Sequence, residues 1–186
     1  MLFYFLLPLE LLLVYLTLVF SSIIFARLSL IFVNLFHKPR EGVFPRDPKN
    51  KDYNYWSLRS VIQKWAAWIS HTFPIPWHDV ILFKIMGVKT HFSNSTYGGY
   101  ISLEFVELGK NVALGDGSSI FGSMVIGNYL IIKKVILEDN VVLGGVAQIS
   151  PGTIVRENTI IGAGTMTSFN QELDPNWVYI GRPAKK

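Results

Sequence analysis

Imidazole is the one side chain whose unperturbed pKa lies near neutrality, so a search for a general base begins with histidine. The chain has four, His37, His71, His78 and His91, and none beyond His91. His91, in Lys89-Thr90-His91-Phe92, stands at the start of the long repeat that fills the second half of the sequence. It is the first candidate for taking a proton from a reacting group. Glu104 and Asp116 are carboxylates near corners of the same repeat. Either could serve as the base instead if its surroundings raise its pKa. Otherwise all three are ordinary surface or corner residues. Cysteine is absent, which excludes disulfides, thiolate metal sites and Cys nucleophiles.

These candidates must be positioned by a repeat of six. Leu108, Leu114, Ile120, Ile126 and Ile132 stand six apart, and after a slip of one residue the series resumes at Leu137, Leu143, Ile149, Val155 and Ile161. Gly follows the aliphatic residue at Gly109, Gly115, Gly127, Gly144 and Gly162. Small or β-branched residues recur four positions later, as at Val112, Ser118, Val141, Ala147, Thr153, Thr159 and Thr165; by this phase Met124 also points into the coil. Such a period predicts a β-helix, each unit being a short strand and a corner. Three units make a triangular coil of about eighteen residues, so the clear repeat supplies roughly three coils. The slip near Asn128-Tyr129 predicts a loop pushed out of one corner, and the period is expected to dissolve after Thr165.

The chain resembles the hexapeptide-repeat acyltransferases over about residues 88–184. The resemblance rests on the Leu/Ile-Gly-x-x-Ser/Val/Thr units, Ile149-Ser150-Pro151-Gly152-Thr153, Ile161-Gly162-Ala163-Gly164 and the closing Trp177-Val178-Tyr179-Ile180-Gly181-Arg182-Pro183-Ala184. It is most similar to members with apolar helices ahead of the coil. The resemblance implies a left-handed parallel β-helix, a homotrimer, and acyl-CoA lying between neighbouring coils. It makes Gly145, Ala163 and Gly181 the backbone contacts to CoA, with Arg182, Lys185 or Lys186 reaching its phosphates. No metal is expected. This sequence departs from the family in one respect: its repeat contains no His. The zinc site of γ-carbonic-anhydrase-like proteins on this fold is excluded too, since it needs three His from the coils.

The elements ahead of the coil set the location. Of 186 residues half are hydrophobic, and Met1 to Phe36 is almost wholly apolar. A membrane helix needs ~20 apolar residues, which Leu11 to Phe36 supplies if Arg27 finds a partner or snorkels. Lys38, Arg40, Arg46, Lys49 and Lys51 follow, so the positive-inside rule puts the β-helix on the cytoplasmic side of a single span. Residues 38–56 read as an irregular linker. Leu58, Val61, Ile62, Trp65, Ala66 and Ile69 follow helical spacing, with Arg59, Gln63 and Lys64 on the other face. With Trp68 this predicts an amphipathic helix at the membrane interface, or one capping the coil. A second short helix is expected over Val80 to Met86. The regions are thus 1–36, 37–87 and 88–186.

The function implied is transfer of an acyl group from acyl-CoA to a hydroxyl or amine, on a sugar or lipid-linked acceptor. The rival is a non-catalytic scaffold or accessory subunit of a membrane complex. The repeat shows no basic stripe, which speaks against nucleic acid.

Overall fold

A computed structural model describes residues 2–72, 77–96 and 98–186. Three helices, α1 (Leu2–Phe36), α2 (Lys51–His71) and α3 (His78–Met86), precede a triangular coil of short parallel strands. One face of the coil stacks Ser95–Thr96, Ala113–Leu114, Val142–Leu143, Ile160–Ile161 and Val178–Tyr179. The second stacks Tyr100–Ile101, Ser119–Ile120 and Gln148–Ile149, and the third Val106–Leu108, Val135–Leu137, Ile154–Val155 and Glu172–Leu173. In each strand the aliphatic residue of the repeat faces inward. Ile120, Ile149, Val155 and Ile161 are wholly buried, and Leu114, Leu137 and Leu143 nearly so. The inward residues form one continuous core, which the hydrophobic effect stabilises in proportion to its apolar area.

The coil is longer than the clear repeat suggests. Beyond Ile161 the six-residue period runs on through Thr167, Leu173 and Tyr179, all buried. It is hidden because two of the three are not aliphatic. Thr167 satisfies its hydroxyl against the amide of Ser150, and the Tyr179 hydroxyl accepts from the amide of Asp174. The expected dissolution after Thr165 is therefore corrected.

One corner column explains the regularity. Asn111, Asn140, Asn158 and Asn176 all have positive φ, between 55° and 63°, a conformation that Asn tolerates better than most residues. Their side chains form a hydrogen-bonded ladder, with steps of 29, 18 and 18 residues. The long first step contains the irregularity: an antiparallel hairpin, Ser123–Ile126 paired with Tyr129–Ile132, leaves the coil at Gly122 and rejoins at Lys133. The predicted loop is there. Within it, however, Ile126 is exposed and Met124 lines an outside cavity, so neither fills the coil. Leu130 and Ile132 are buried against Phe44 in a small second core.

Phe44 belongs to a strand, Gly42–Pro45, that pairs antiparallel with Tyr129–Ile132. The expected irregular linker is thus ordered by a partner far along the chain. It is tied further by Asp52, which takes two hydrogen bonds from Arg40 at 2.7 and 2.6 Å and lies 3.3 Å from His37 Nε2. Arg40 holds the Asp52 carboxyl below its ordinary range. Asn50 caps α2 by accepting from the amide of Tyr53.

The facing of α2 splits the expected apolar stripe: Ala66 is buried and Ile62 and Ile69 pack against the core, while the rest lies outside, as an interfacial helix requires. Asp52, Arg59, Ala66 and Ser70 are buried, whereas Leu58, Val61, Trp65 and Trp68 are exposed. The buried polar groups are compensated by specific partners, and Leu58, Val61, Trp65 and Trp68 are left outside. α2 runs antiparallel along α1, from Tyr15 bonded to the Thr72 carbonyl to Arg59 bonded to the His37 carbonyl. Val19, Ile23, Ala26, Leu30 and Val33 form the buried stripe of α1. Arg27 meets the partner it required, donating to the Met86 carbonyl at the end of α3 at 2.8 Å, where a cation complements the helix terminus.

Candidate active site

The corners divide the expected site residues into three places. Asp116, Gly145, Ala163, Gly181 and Arg182 lie on one ridge, which the coil brings together from residues far apart in sequence. Successive steps are joined by Val146 donating to the Asp116 carbonyl, Gly164 to Gly145, and Met166 to Gly181. Gly117 and Gly164 take positive φ of 65° and 68° here, and Val146 does so at 58°. A Cβ added at Gly117 or Gly164 would meet no backbone within 4 Å, so the ridge is open on its outer side. Arg182 is anchored at its end by Nε to the Gly164 carbonyl, at 2.6 Å. Lys185 is exposed beside it. Lys186 is engaged elsewhere, with Nζ 2.6 Å from Asp174 and over the Trp177 ring.

Glu104 sits at a second corner, in a cavity of about 360 Å³ between α2 and the coil. Aromatic walls come from Trp56, Tyr100 and Phe121, and polar groups from Ser60, Ser102 and Gln63. Glu104 pairs with Arg59, whose Nε lies 3.0 and 3.2 Å from its two oxygens. Burial raises the Glu104 carboxyl above its ordinary value, against the opposing pull of Arg59 and Gln63. Burial likewise raises the Tyr100 hydroxyl. A carboxyl with raised pKa in a cavity is the arrangement that a general base requires. Sequence reasoning named Glu104 but missed Arg59, Tyr100 and Ser102. Arg59 was obscured because the apolar stripe on α2 points away from the coil.

His91 lies at the third corner, exposed, in an open cleft of about 640 Å³. Glu107, Glu138, Asp139 and Glu157 line the same cleft. Asp116 is an exposed corner residue on the ridge. Of the three proposed bases, Glu104 is the one shielded from solvent, between α2 and the coil.

No family model and no curated protein matches the sequence. Solved structures do. A galactoside acetyltransferase in complex with coenzyme A matches at 16% identity, covering 78% of this chain and 84% of that one, with a TM-score of 0.54. A hexapeptide-repeat containing acetyltransferase from Vibrio cholerae O1 biovar eltor, complexed with acetyl coenzyme A, matches at 17% identity over 75% and 89%, with a TM-score of 0.49. The chain spans 54% of the N-acyltransferase AntD from Bacillus cereus, at 21% identity, 50% coverage of itself and a TM-score of 0.41. The likeness to galactoside acetyltransferase defines the fold. It is a left-handed parallel β-helix, in agreement with the period of the repeat.

Proposed function

We propose that this chain is a membrane-attached, homotrimeric acyltransferase that moves an acyl group from acyl-CoA to a hydroxyl or amine on a sugar or lipid-linked acceptor. The observation that carries the reading is the cavity holding Glu104 beside the open ridge. Tyr100, in the cavity wall, follows directly on Gly98 and Gly99 at the ridge's first step. The ridge fits a long, narrow ligand: Gly145 and Ala163 offer approach to the backbone, and Arg182 and Lys185 supply cations for phosphates at one end. When bound, CoA supplies the thioester-activated acyl group. In this reading Glu104 accepts the proton of the attacking hydroxyl or amine and, once protonated, returns it to the departing sulfur. Arg59 orients the carboxylate, and the aromatic walls suit the flat face of a sugar ring.

The helices supply the attachment. Leu6–Phe36 is long and apolar enough to cross a membrane. However, α2 lies alongside Tyr15 to His37 and carries Arg59, Gln63 and Lys64. Charged groups in hydrocarbon are expensive. We therefore place the α1–α2 pair in the plane of the interface, apolar outer faces toward lipid, with the stretch ahead of Tyr15 free to insert. Lys38, Arg40, Arg46, Lys49 and Lys51 suit the anionic headgroups of a cytoplasmic leaflet.

The test uses the full chain purified in detergent. Acetyl-CoA should raise the melting temperature, and Ala163→Trp should abolish the rise by blocking the ridge. Glu104→Gln should lower CoA release with a pool of sugar and lipid acceptors by ~10²–10⁴-fold while leaving the melting shift intact. No shift with acetyl-CoA, and no CoA release, would leave a non-catalytic scaffold as the function.

A further inference from the structure

Away from the ridge and the Glu104 cavity, three nitrogen and oxygen ligands converge where the helices meet the coil. They are His71 at the end of α2, and His78 and Asp79 at the start of α3. Their donor atoms all lie within 4.8 Å of one another. Both imidazoles face the same carboxylate oxygen: His78 Nε2 is 3.1 Å and His71 Nδ1 3.8 Å from Asp79 Oδ1. The rings stand edge to face, at 75° with centroids 5.7 Å apart. Asp79 is almost wholly buried, and its other oxygen accepts from the Thr96 hydroxyl at 3.2 Å. No lysine or arginine pairs with Asp79 among the described residues.

We propose that His71, His78 and Asp79 form a binding site for Zn²⁺. Two imidazoles and one carboxylate are a donor set that zinc accepts, with a fourth place left for water. Zinc bonds of ~2.0–2.2 Å in tetrahedral geometry set neighbouring ligand atoms roughly 3.3 Å apart. The separations from Asp79 Oδ1, 3.1 and 3.8 Å, straddle that figure. The third closes by rotation of His71, whose side chain is 47% exposed and free to turn. Thr96 fixes the carboxylate from behind, as outer hydrogen bonds commonly do for metal ligands. His78 and Asp79 also line a cavity of about 330 Å³ with Asn94, Ser95 and Thr96, which gives the water a place. The ion would join the end of α2, the start of α3 and, through Thr96, the first strand of the coil. Its role is to hold the helical cap on the coil, so the proposal stands whether or not the chain transfers acyl groups.

The experiment strips the full chain in detergent with a chelator, removes the chelator and titrates ZnCl₂ by calorimetry. One zinc per chain should bind and raise the melting temperature, and Co²⁺ in its place should give the visible bands of a tetrahedral nitrogen–oxygen site. His71→Ala should abolish the bands and the melting shift; it removes an exposed ring, so the apo protein should melt as the wild type does. Thr96→Val, which keeps all three ligands, should weaken binding by ~10–100-fold. Absence of saturable binding overturns the proposal. So does binding that His71→Ala leaves unchanged, since the ion is then held elsewhere.

Discussion

Replacing Arg59 with Met removes the charge that Glu104 faces while keeping much of the side chain's length. Arg59 is 1% exposed and also donates from Nη1 to the His37 carbonyl at 3.2 Å. Breaking a buried pair from one side costs ~3–5 kcal/mol, because a charge is left without its partner. At ~2–4 °C per kcal/mol for a chain of this size, the melting temperature should fall by about 6–20 °C. The loss depends on pH. Burial raises the Glu104 carboxyl and Arg59 pulls it down, so the variant holds its proton to still higher pH. A carboxyl whose folded pKa is raised favours the folded state while protonated and penalises it once ionised. The deficit should therefore be least below the raised wild-type value and complete only above the variant's still higher one. Melting curves of wild type and Arg59→Met from acid to neutral pH measure this. Arg59→Met combined with Glu104→Gln should recover most of the loss, since no charge then remains buried. A neutral-pH loss under about 1 kcal/mol, or a deficit that does not change with pH, would refute the reasoning.

Two further outcomes test the coil. Ile149→Ala and Ile161→Ala, at wholly buried positions, should each cost ~2–5 kcal/mol in denaturant unfolding; a small effect at both would mean the inward phase is wrong. Asn158→Ala at φ 56° should cost ~1–2 kcal/mol, whereas Asn158→Gly should lose less, and equal losses would show that the side-chain ladder rather than the backbone conformation dominates.

The coil was legible because its signal is local and periodic: Leu143, Ile149, Val155 and Ile161 stand six apart and fill one interior. The Asn column at positions 140, 158 and 176 was equally periodic, and a search at eighteen residues would have found it. What the sequence concealed depends on distant partners. Gly42–Pro45 becomes a strand only because the hairpin at Tyr129–Ile132 offers an edge. Leu173 and Tyr179 continue the interior although the polar residues around them mask the period. Glu104 was visible as a carboxylate near a corner, but its raised pKa arises from burial under α2. Gly145, Ala163 and Gly181, named through the resemblance, share one ridge because the period stacks their corners. His91 was selected for its residue type and its place in the chain, and neither reports the wide acidic cleft around it.

The exposed part of the α2 stripe gives a final test, because the interfacial and capping readings demand opposite results. Had the apolar stripe been core, Trp65 and Trp68 would be buried and their removal ruinous, since Trp→Ala in a core costs ~3–5 kcal/mol. In the structure they are 41% and 66% exposed, in line with Leu58 and Val61 and on the outer side of the helix. Exposed apolar stripes carrying Trp are suited to the boundary between lipid headgroups and acyl chains, where an apolar ring and a polar N–H are both accommodated. Trp65→Ser combined with Trp68→Ser should therefore leave the melting temperature of the detergent-solubilised protein nearly unchanged. The same change should weaken the attachment, so that alkaline carbonate extracts the variant from membranes more readily than the wild type. Unfolding of the double variant would return the stripe to the core. A stable double variant that resists extraction as the wild type does would assign the attachment to α1 alone.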